Sequence, residues 1–321
     1  MRVLSGIQPS GTLHIGNYLG MMRQMIELQA QNELFCFLAD LHAMTSLNRG
    51  ADLRAKTLQA ALDFLALGID PDKAVFWVQS TVPEINELAW YLSNITPVGL
   101  LERCHSYKDK LAKGLPANAG LFNYPLLMAA DILAVQSDIV PVGQDQKQHL
   151  EVTRDIAIKF NNEFGETFQV PDALIKEGVA IVPGTDGQKM SKSYGNTIEI
   201  FGEEKVLRKQ VMNIVTDSTP LEQPKNPATC NVFKIYALLA TAEQKLALAQ
   251  KYRAGGYGYG EAKKETFALL WEYFRPYRER RAELSQNLDA VQKILQKGTD
   301  KARAEIAKTL QAVREKTGAF L

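Results

Sequence analysis

Short apolar runs alternate with helical patterns through the first half of the chain, and this alternation limits the possible folds more than any other feature. The predicted strands are 2–7, 35–41, 75–79 and 138–142. The predicted helices that accompany them are 52–67, 83–96 and 146–164. Strands that alternate with helices form a parallel sheet with helices on both faces. We therefore predict an α/β fold with a Rossmann-like, doubly wound parallel sheet.

The last third of the chain shows helical spacing and no convincing strand pattern. The predicted helices here are 203–215, 231–239, 242–252, 260–281 and 285–317. Residues 255–260 read Gly-Gly-Tyr-Gly-Tyr-Gly. This run lacks the Gly-Lys-Ser ending of a P-loop, so we interpret it as a tight turn between helices. We predict an all-helical C-terminal domain over residues 201–321, after a first domain over residues 1–200.

The net charge of +1 hides an uneven distribution along the chain. Residues 1–200 carry 16 Lys or Arg and 22 Asp or Glu, whereas residues 201–321 carry 21 and 14. A basic region is typical of a polyanion-binding surface, but exposed helices also carry Lys and Arg for solubility, and charge favours neither interpretation. Arg278, Arg280 and Arg281 form the densest basic cluster of that region, and as a helical face they could simply be solvated.

The three cysteines, Cys36, Cys104 and Cys230, are too scattered to form a Cys-x-x-Cys zinc or redox pair. We interpret them as reduced thiols of a cytoplasmic protein. No apolar run is long enough to span a bilayer, and no charged-then-apolar leader precedes the first strand. We therefore predict neither a membrane segment nor an export signal. No pattern indicates a metal cage, and we predict no metal ligands.

A candidate phosphate-binding motif follows the first predicted strand and reads Gln-Pro-Ser-Gly-Thr-Leu-His-Ile-Gly-Asn over residues 8–17. His14 and Asn17 would share one face at the start of a helix, where free N–H groups and the helix dipole favour phosphate. Gly16 between them would let a base or ribose lie against the backbone. The alternative is structural: Ser10 or Thr12 merely caps a helix on which His14 is solvated.

A second candidate reads Lys-Met-Ser-Lys-Ser over residues 189–193, between a Pro-Gly-Thr-Asp-Gly run and Gly195. We expect a long flexible loop here. Two ammonium groups and two hydroxyl groups suit the charge that develops on a pyrophosphate leaving group, and a mobile loop can close over a substrate. The alternative is a solvated basic loop.

In this order, the two motifs resemble the nucleotide signatures of the class I aminoacyl-tRNA synthetases. Longer stretches are similar, more narrowly, to the bacterial-type tryptophanyl-tRNA synthetases, and the likeness covers nearly the whole chain. These stretches are 5–11, 17–20, 128–133 and 138–149. Asn17 replaces the second histidine of the first motif. Tyr194-Gly195-Asn196 follows the second motif where many relatives have Asp-Pro-Asn, which leaves the closing motion of that loop open.

The resemblance implies that the protein activates L-tryptophan with ATP to tryptophanyl-adenylate and pyrophosphate, and then transfers tryptophan to tRNA(Trp). It also implies a catalytic domain over 1–200, a tRNA anticodon-binding domain over 201–321, Mg²⁺ that accompanies ATP, and a homodimer. The implied catalytic residues are His14, Asn17, Lys189 and Lys192. The implied ATP contacts are Gln8, Pro9, Ser10, Gly16, Asn17, Gly143, Gln144, Asp145, Ile181, Lys189, Met190, Ser191, Lys192 and Ser193. The implied tryptophan contacts are Asp131, Tyr124 and Gln146.

Asp131 lies in an otherwise apolar stretch, where we expect a buried helix. A buried carboxylate needs a hydrogen-bond donor, and an indole N–H donates but cannot accept. The alternative is a structural carboxylate that pairs with an arginine such as Arg103 or Arg154.

Three other functions remain open at this point. A tyrosyl-tRNA synthetase would need a Tyr/Asp pair and a Gln around the phenol, and the Val-Gly-Gln-Asp-Gln-Lys-Gln-His segment at 142–149 argues against it. A small-molecule nucleotidyltransferase with the same first motif has no tRNA step and no use for the basic 121-residue extension. A non-enzymatic RNA-binding paralogue would not need an intact segment at 189–193.

Overall fold

A computed structural model describes residues 1–9, 11–45, 50–104, 107–108, 118–143, 146–175 and 182–319. The chain divides into two compact units, each built from separate segments. The first unit contains residues 1–11, 25–177 and 287–321, and the second contains 12–24 and 178–286. The division of function between residues 1–200 and 201–321 stays a prediction, while the compact units follow these other boundaries.

Five parallel strands form one sheet in the first unit, in the order β3-β2-β1-β4-β5. The strands are β1 (Arg2–Ile7), β2 (Glu33–Leu38), β3 (Ala74–Val78), β4 (Ile139–Pro141) and β5 (Asp172–Leu174). Strand β2 is buried from its second residue to its last, as expected for a parallel strand covered on both faces. The predicted doubly wound parallel sheet is confirmed. Strand β5 was not predicted, because its sequence Asp-Ala-Leu contains no run of apolar residues.

The helices predicted at 52–67, 83–96 and 146–164 are close to the observed helices Ala51–Leu67, Glu84–Ile95 and Lys147–Phe164. The first half also contains the helices Ile15–Asn17, Arg23–Leu28, Asp40–Ala43, Val98–Glu102 and Ala119–Ala134, with a π-helical turn at Tyr18–Met22. In the helix Glu84–Ile95, the buried residues Ile85, Leu88, Leu92 and Ile95 recur every three or four positions. Pro97 lies two residues beyond that helix and prevents its continuation.

The second unit contains the helices Glu204–Met212, Asn231–Ala237, Ala242–Ala254, Tyr259–Tyr273 and Arg275–Gln286. The predicted helix 260–281 is in fact two helices that separate at Phe274, because Pro276 supplies no N–H and restricts Arg275. The glycine-rich run at 255–260 is the predicted interhelix turn. Gly255 is required there, since its φ is +75° and a Cβ atom would lie 2.4 Å from the carbonyl oxygen of Glu222.

The segment with the first motif is anchored to the helices of the second unit by an aromatic cluster. The buried Tyr18 packs edge-on against Phe274, with ring centroids 5.3 Å apart. Its hydroxyl group lies 3.2 Å from that of Tyr273, and its ring also contacts Tyr277. Burial and these neighbouring phenols raise the pKa of Tyr18, so its hydroxyl group stays uncharged.

The last helix, Leu288–Thr317, belongs to the first unit and packs on β3. Gly298 permits this close approach, because a Cβ atom there would lie 1.8 Å from the carbonyl oxygen of Phe76. Arg314 reinforces the packing with a bidentate ion pair to Glu87, at 2.7 and 2.6 Å. The prediction that the C-terminal region is helical is confirmed, but its final helix covers the sheet instead of joining the other C-terminal helices.

Within the described ranges, no helix has the length and apolar character needed to cross a membrane.

Candidate active site

The carboxyl ends of four neighbouring strands meet at one edge of the sheet in the first unit. The chain runs from β1 to β2 and β3 on one side and places β4 and β5 on the other, so the topological switch lies between β1 and β4. Ligands collect at such switch points in open α/β sheets. Gln8 and Pro9 follow β1, and Gly143 follows β4 two residues after its end. Ser10, Gln144 and Asp145, which were predicted beside them, lie outside the described residues.

Asp131 is a buried carboxylate that protein donors hold at this edge, since its partners follow β2 and β3. It is 4% exposed and belongs to the helix Ala119–Ala134. Gln79 is fully buried directly after β3, and its Nε2 donates to Asp131 Oδ1 at 3.0 Å and to Oδ2 at 2.8 Å. His42 lies just after β2, with Nε2 3.0 Å from Oδ2. Burial raises the pKa of the Asp131 carboxyl, and the His42 and Gln79 hydrogen bonds act against that rise.

The arginine alternative for Asp131 does not match these contacts. Arg154 pairs instead with Asp172, at 2.7 Å, and also contacts Glu151. A carboxylate can accept about four hydrogen bonds, and His42 and Gln79 make three contacts with it, two of them to Oδ2. Oδ1 therefore retains capacity for a further donor, such as a ligand N–H.

Tyr124 joins the same cluster through two histidines. Its hydroxyl group hydrogen-bonds the ring of the buried His149, and its ring lies edge-on to His42 with centroids 6.2 Å apart. Gln146 is half-buried at the start of the helix Lys147–Phe164. His42, Gln79 and His149 were not among the predicted site residues. The rule that ligands gather at carboxyl ends of strands could have identified His42 and Gln79, since each closely follows a strand.

The two motifs meet within the second unit through backbone hydrogen bonds. The N–H of Ile15 donates to the carbonyl oxygen of Ile198 at 3.0 Å, and the N–H of Ile200 donates to that of Leu13 at 3.1 Å. Gly16 donates its N–H to the sulfur of Met190 at 3.3 Å. Residues 13–16 are thereby held beside the Lys-Met-Ser-Lys-Ser segment, as the nucleotide-site prediction requires.

Close contacts around Gly16 leave no room for a side chain. A Cβ atom there would lie 2.9 Å from Nδ1 of His14 and 3.3 Å from Cβ of Met190. Asn17 accepts a hydrogen bond from the backbone N–H of His14, with Oδ1 at 3.2 Å. His14, and not Ser10 or Thr12, immediately precedes the helix that starts at Ile15.

His14 is buried and uncharged, which removes the alternative of a solvated histidine. It is 5% exposed, and in the described part of the chain its Nδ1 has no hydrogen-bond partner. Burial, and secondly the positive charge of Lys192, lower the pKa of His14 to about 4. The side chain is thus a neutral imidazole near pH 7, close to one of the predicted catalytic lysines.

The Lys-Met-Ser-Lys-Ser segment has a defined hydrogen-bonded conformation. The backbone N–H of Met190 donates to the carbonyl oxygen of Val182 at 2.8 Å, which closes a hairpin before it. A short 3₁₀ turn, Lys192–Tyr194, follows, and Ser191 caps it by accepting from the N–H of Ser193 at 3.3 Å. Lys189, Lys192 and Ser193 are exposed, so their charges and hydroxyl group remain accessible. Ile181, one of the implied ATP contacts, lies outside the described residues.

The arginine cluster of the second unit is less available to a polyanion than its sequence suggests. Arg278 lies 3.5 Å from the ring centroid of Trp271 and donates to the Trp271 carbonyl oxygen. Arg281 lies over the ring of Phe201, at 5.1 Å. Arg280 is exposed and pairs with a glutamate. Two of the three side chains therefore have packing roles.

Comparisons with known proteins place these features in one family. The model for "tRNA synthetases class I (W and Y)" matches residues 1–275. A tryptophan–tRNA ligase of Fusobacterium nucleatum is 56% identical, with 99% of this chain and 98% of that protein covered. One of Rhodopirellula baltica is 55% identical, with 99% of each covered.

A solved structure agrees over the whole length of the chain. Tryptophanyl-tRNA synthetase from Campylobacter jejuni, complexed with ADP and tryptophan, superposes with a TM-score of 0.96 at 53% identity, and the match covers 99% of this chain and 100% of that one. With a family model that matches most of its length and full-length relatives above 50% identity, the chain belongs to the class I aminoacyl-tRNA synthetases, in the tryptophan–tRNA ligase family.

Proposed function

We propose that this chain performs the two-step tryptophan–tRNA ligase reaction with the residues predicted from its sequence. In the first step, a carboxylate oxygen of L-tryptophan attacks the α-phosphorus of ATP, the bond to the β-phosphate breaks, and pyrophosphate leaves. In the second, a terminal ribose hydroxyl of tRNA(Trp) attacks the activated carbonyl carbon, and AMP leaves. Family membership supports both steps. The Campylobacter relative, which was solved with ADP and tryptophan, supports the two small substrates.

The observation that carries the choice of amino acid is the buried Asp131 with capacity left on Oδ1. An indole N–H only donates, so a carboxylate oxygen satisfies it completely. A phenol hydroxyl would donate as well and would also need a donor directed at it. The donors of Gln79 and His42 that face this carboxylate are already used by Asp131. Tryptophan therefore fits this cluster better than tyrosine, with Tyr124 and Gln146 as further contacts to the amino acid.

The nucleotide contacts are proposed on the segments around the two motifs. The ATP contacts would be Gln8, Pro9, Ser10, Gly16, Asn17, Gly143, Gln144, Asp145, Ile181 and Lys189 to Ser193. The exposed ammonium groups of Lys189 and Lys192 would stabilise negative charge on the departing pyrophosphate. Neutral His14 would contribute hydrogen bonds and no repulsion toward Lys192. Catalysis would then come mainly from positioning and charge stabilisation.

Mg²⁺ would arrive bound to the ATP phosphates and offset their charge. Across the described ranges, no group of three or more His, Cys, Asp or Glu side chains is arranged to hold a metal ion.

The tRNA contacts are proposed mainly for the second unit. Residues 201–286 carry 14 Lys or Arg and 10 Asp or Glu, and residues 287–321, which lie in the first unit, carry 7 and 4. Several cations of the last helix are paired with acids of the first unit, Arg303 with Glu84 and Lys297 with Asp72. We expect rising salt to weaken tRNA binding steeply, since phosphate contacts release counterions, and to change adenylate formation only slightly.

A homodimer in the cytoplasm is part of the same proposal. Exposed apolar side chains of the first unit support the dimer: Trp90 is 70% exposed, Val98 61% and Ile158 44%. Leu100 and Ile156, which lie two residues from Val98 and Ile158 in sequence, both line a cavity of about 400 Å³. A second copy could cover these exposed side chains. Sedimentation should show a dimer for the parent and a shift toward monomer for Val98→Glu, while unchanged sedimentation would place the interface elsewhere.

The test of the proposed function is ATP–pyrophosphate exchange measured separately with each of the twenty amino acids. Tryptophan should drive exchange, and tyrosine should be far weaker. Preferential exchange with tyrosine would contradict the assignment of Asp131, and exchange with no amino acid would contradict the proposed reaction.

A further inference from the structure

The Lys-Met-Ser-Lys-Ser segment rests on the buried side chain of Asn196, which is 2% exposed. Its Nδ2 donates to Asp186 Oδ1 at 2.7 Å and to the carbonyl oxygen of Lys189 at 3.1 Å. Its Oδ1 accepts from the backbone N–H of Ser191 at 2.7 Å. Both amide hydrogens are thus used. The three contacts reach the turn before the segment and its first and third residues.

The surrounding backbone confines the side-chain amide of Asn196 to one position. The carbonyl oxygen of Asn196 accepts from the N–H of Thr185 at 2.9 Å. A Cβ atom on Gly184 would lie 2.2 Å from the Asn196 Nδ2 and 2.8 Å from its carbonyl oxygen. Gly195, with a φ of +63°, turns the chain immediately before Asn196. Because the contacts on both sides are tight, the amide cannot shift without moving the segment.

The segment is therefore divided into buried anchors and exposed charges. Met190 is 5% exposed and accepts the N–H of Gly16, while Lys189 and Lys192 are exposed. Lys192 directly follows Ser191, whose backbone N–H is held by Asn196. Asn196, four positions later, thus sets the direction in which the Lys192 side chain extends from the backbone.

We infer that Asn196 is a positioning residue for adenylate formation, which fixes the backbone of residues 189–191 so that Lys189 and Lys192 face the transferring phosphate. Asn196 itself, being buried, would not touch the substrate. This inference rests on the proposed function. If Asn196 only stabilised the fold, its replacement would change the free energy of unfolding and leave the contribution of Lys192 to the rate unchanged.

A double-mutant cycle on the rate of exchange separates these two roles. Asn196→Ala should lower the rate about 10- to 100-fold, with the KM for tryptophan near its parent value, because misplacement of a transition-state contact mainly lowers kcat. In the Lys192→Ala background, the same change should cost several-fold less, since only Lys189 then remains to be positioned. Equal losses in both backgrounds would overturn the inference. Replacement of the exposed Asn162 by alanine is the matched control and should leave the rate unchanged.

A second pair of variants keeps the inference testable if Asn196→Ala does not fold. Asn196→Asp removes both amide donors and places a second carboxylate against Asp186, so exchange should fall well below that of the parent. Adding Asp186→Asn to Asn196→Asp supplies a donor again and should recover the rate several-fold, although the Lys189 carbonyl oxygen stays without its partner. No recovery would show that the bond between residues 186 and 196 does not position the segment.

The outcomes also distinguish this inference from the proposed function. If the parent shows no tryptophan-dependent exchange, the proposed function fails. If the parent is active and folded Asn196→Ala exchanges at the parent rate, the inference alone fails.

Discussion

Gly298→Ala is expected to destabilise the protein, although alanine is the better helix former. Gly298 lies inside the helix Leu288–Thr317, where replacing glycine by alanine normally gains about 1 kcal/mol. Here a Cβ atom would lie 1.8 Å from the carbonyl oxygen of Phe76 and 2.5 Å from its carbonyl carbon. Side-chain carbons essentially never come within 3.0 Å of such atoms, so the helix would have to move more than about 1 Å from β3.

The size of the expected loss in stability follows from the packing that this movement of the helix would disturb. Ile306, Leu310 and Val313 are buried on the same helix, and their packing depends on its distance from the sheet. Overpacking in a core costs about 1–3 kcal/mol and occasionally more, and a backbone atom cannot rotate away as a side chain can. We expect a steric cost of about 3–4 kcal/mol and, after the gain in helix propensity, a net loss of about 2–3 kcal/mol.

The assay is urea unfolding followed by circular dichroism, with Gly260→Ala as the matched control. Gly260 also lies in a helix, Tyr259–Tyr273, but a Cβ atom there meets nothing within 4 Å. The control should be as stable as the parent or gain up to about 1 kcal/mol. A Gly298→Ala protein at least as stable as the parent would refute the close packing of the last helix on β3.

Three further outcomes are expected at the candidate site. Asp131→Ala should weaken tryptophan activation by about 2–4 kcal/mol in kcat/KM and leave ATP binding alone little changed; unaltered discrimination between tryptophan and tyrosine would assign the indole contact to another residue. Lys192→Ala should cut adenylate formation by about two to three orders of magnitude, and if the Kd for ATP rises in the same proportion, the lysine is only an anchor. Burial and Lys192 lower the pKa of His14 to about 4 in the folded protein, against about 6.5 in the unfolded chain. Burial of this histidine therefore costs no stability above pH 6.5, and the free energy of unfolding decreases as the pH falls toward 4, because the unfolded chain then binds a proton that the folded protein does not. The free energy of unfolding of His14→Gln should therefore fall less between pH 7 and pH 5 than that of the parent, and equal falls would contradict the assignment.

Apolar periodicity was enough to predict four of the five strands and most helices, but not which surface each helix covers. The pattern at 285–317 correctly indicates a helix with one buried face. It does not identify the covering surface, which turns out to be β3, more than 200 residues earlier. Gly298 is informative only when Phe76 is known to lie against it, so no local pattern could assign this helix to the first unit.

Candidate site residues were predictable where their chemistry is unusual for their surroundings. Asp131 is conspicuous because it interrupts an apolar helix. Gln79 and His42 are ordinary polar residues in sequence, and their meaning comes from hydrogen bonds to Asp131 that span 52 and 89 residues. The burial of His14 depends likewise on residues 190–200, which lie far from it in sequence.

The central claim is that a buried carboxylate at Asp131 recognises the indole N–H, and one comparison of substrates tests it directly. The analogue of tryptophan in which sulfur replaces the indole N–H, β-(benzo[b]thiophen-3-yl)alanine, has nearly the same shape but no donor. In ATP–pyrophosphate exchange, the parent protein should prefer tryptophan over this analogue by a factor on the order of 100, since an unpaired buried carboxylate oxygen costs about 2–3 kcal/mol. In Asp131→Ala, most of that preference should disappear. Equal activation of tryptophan and the analogue by the parent protein would contradict the account.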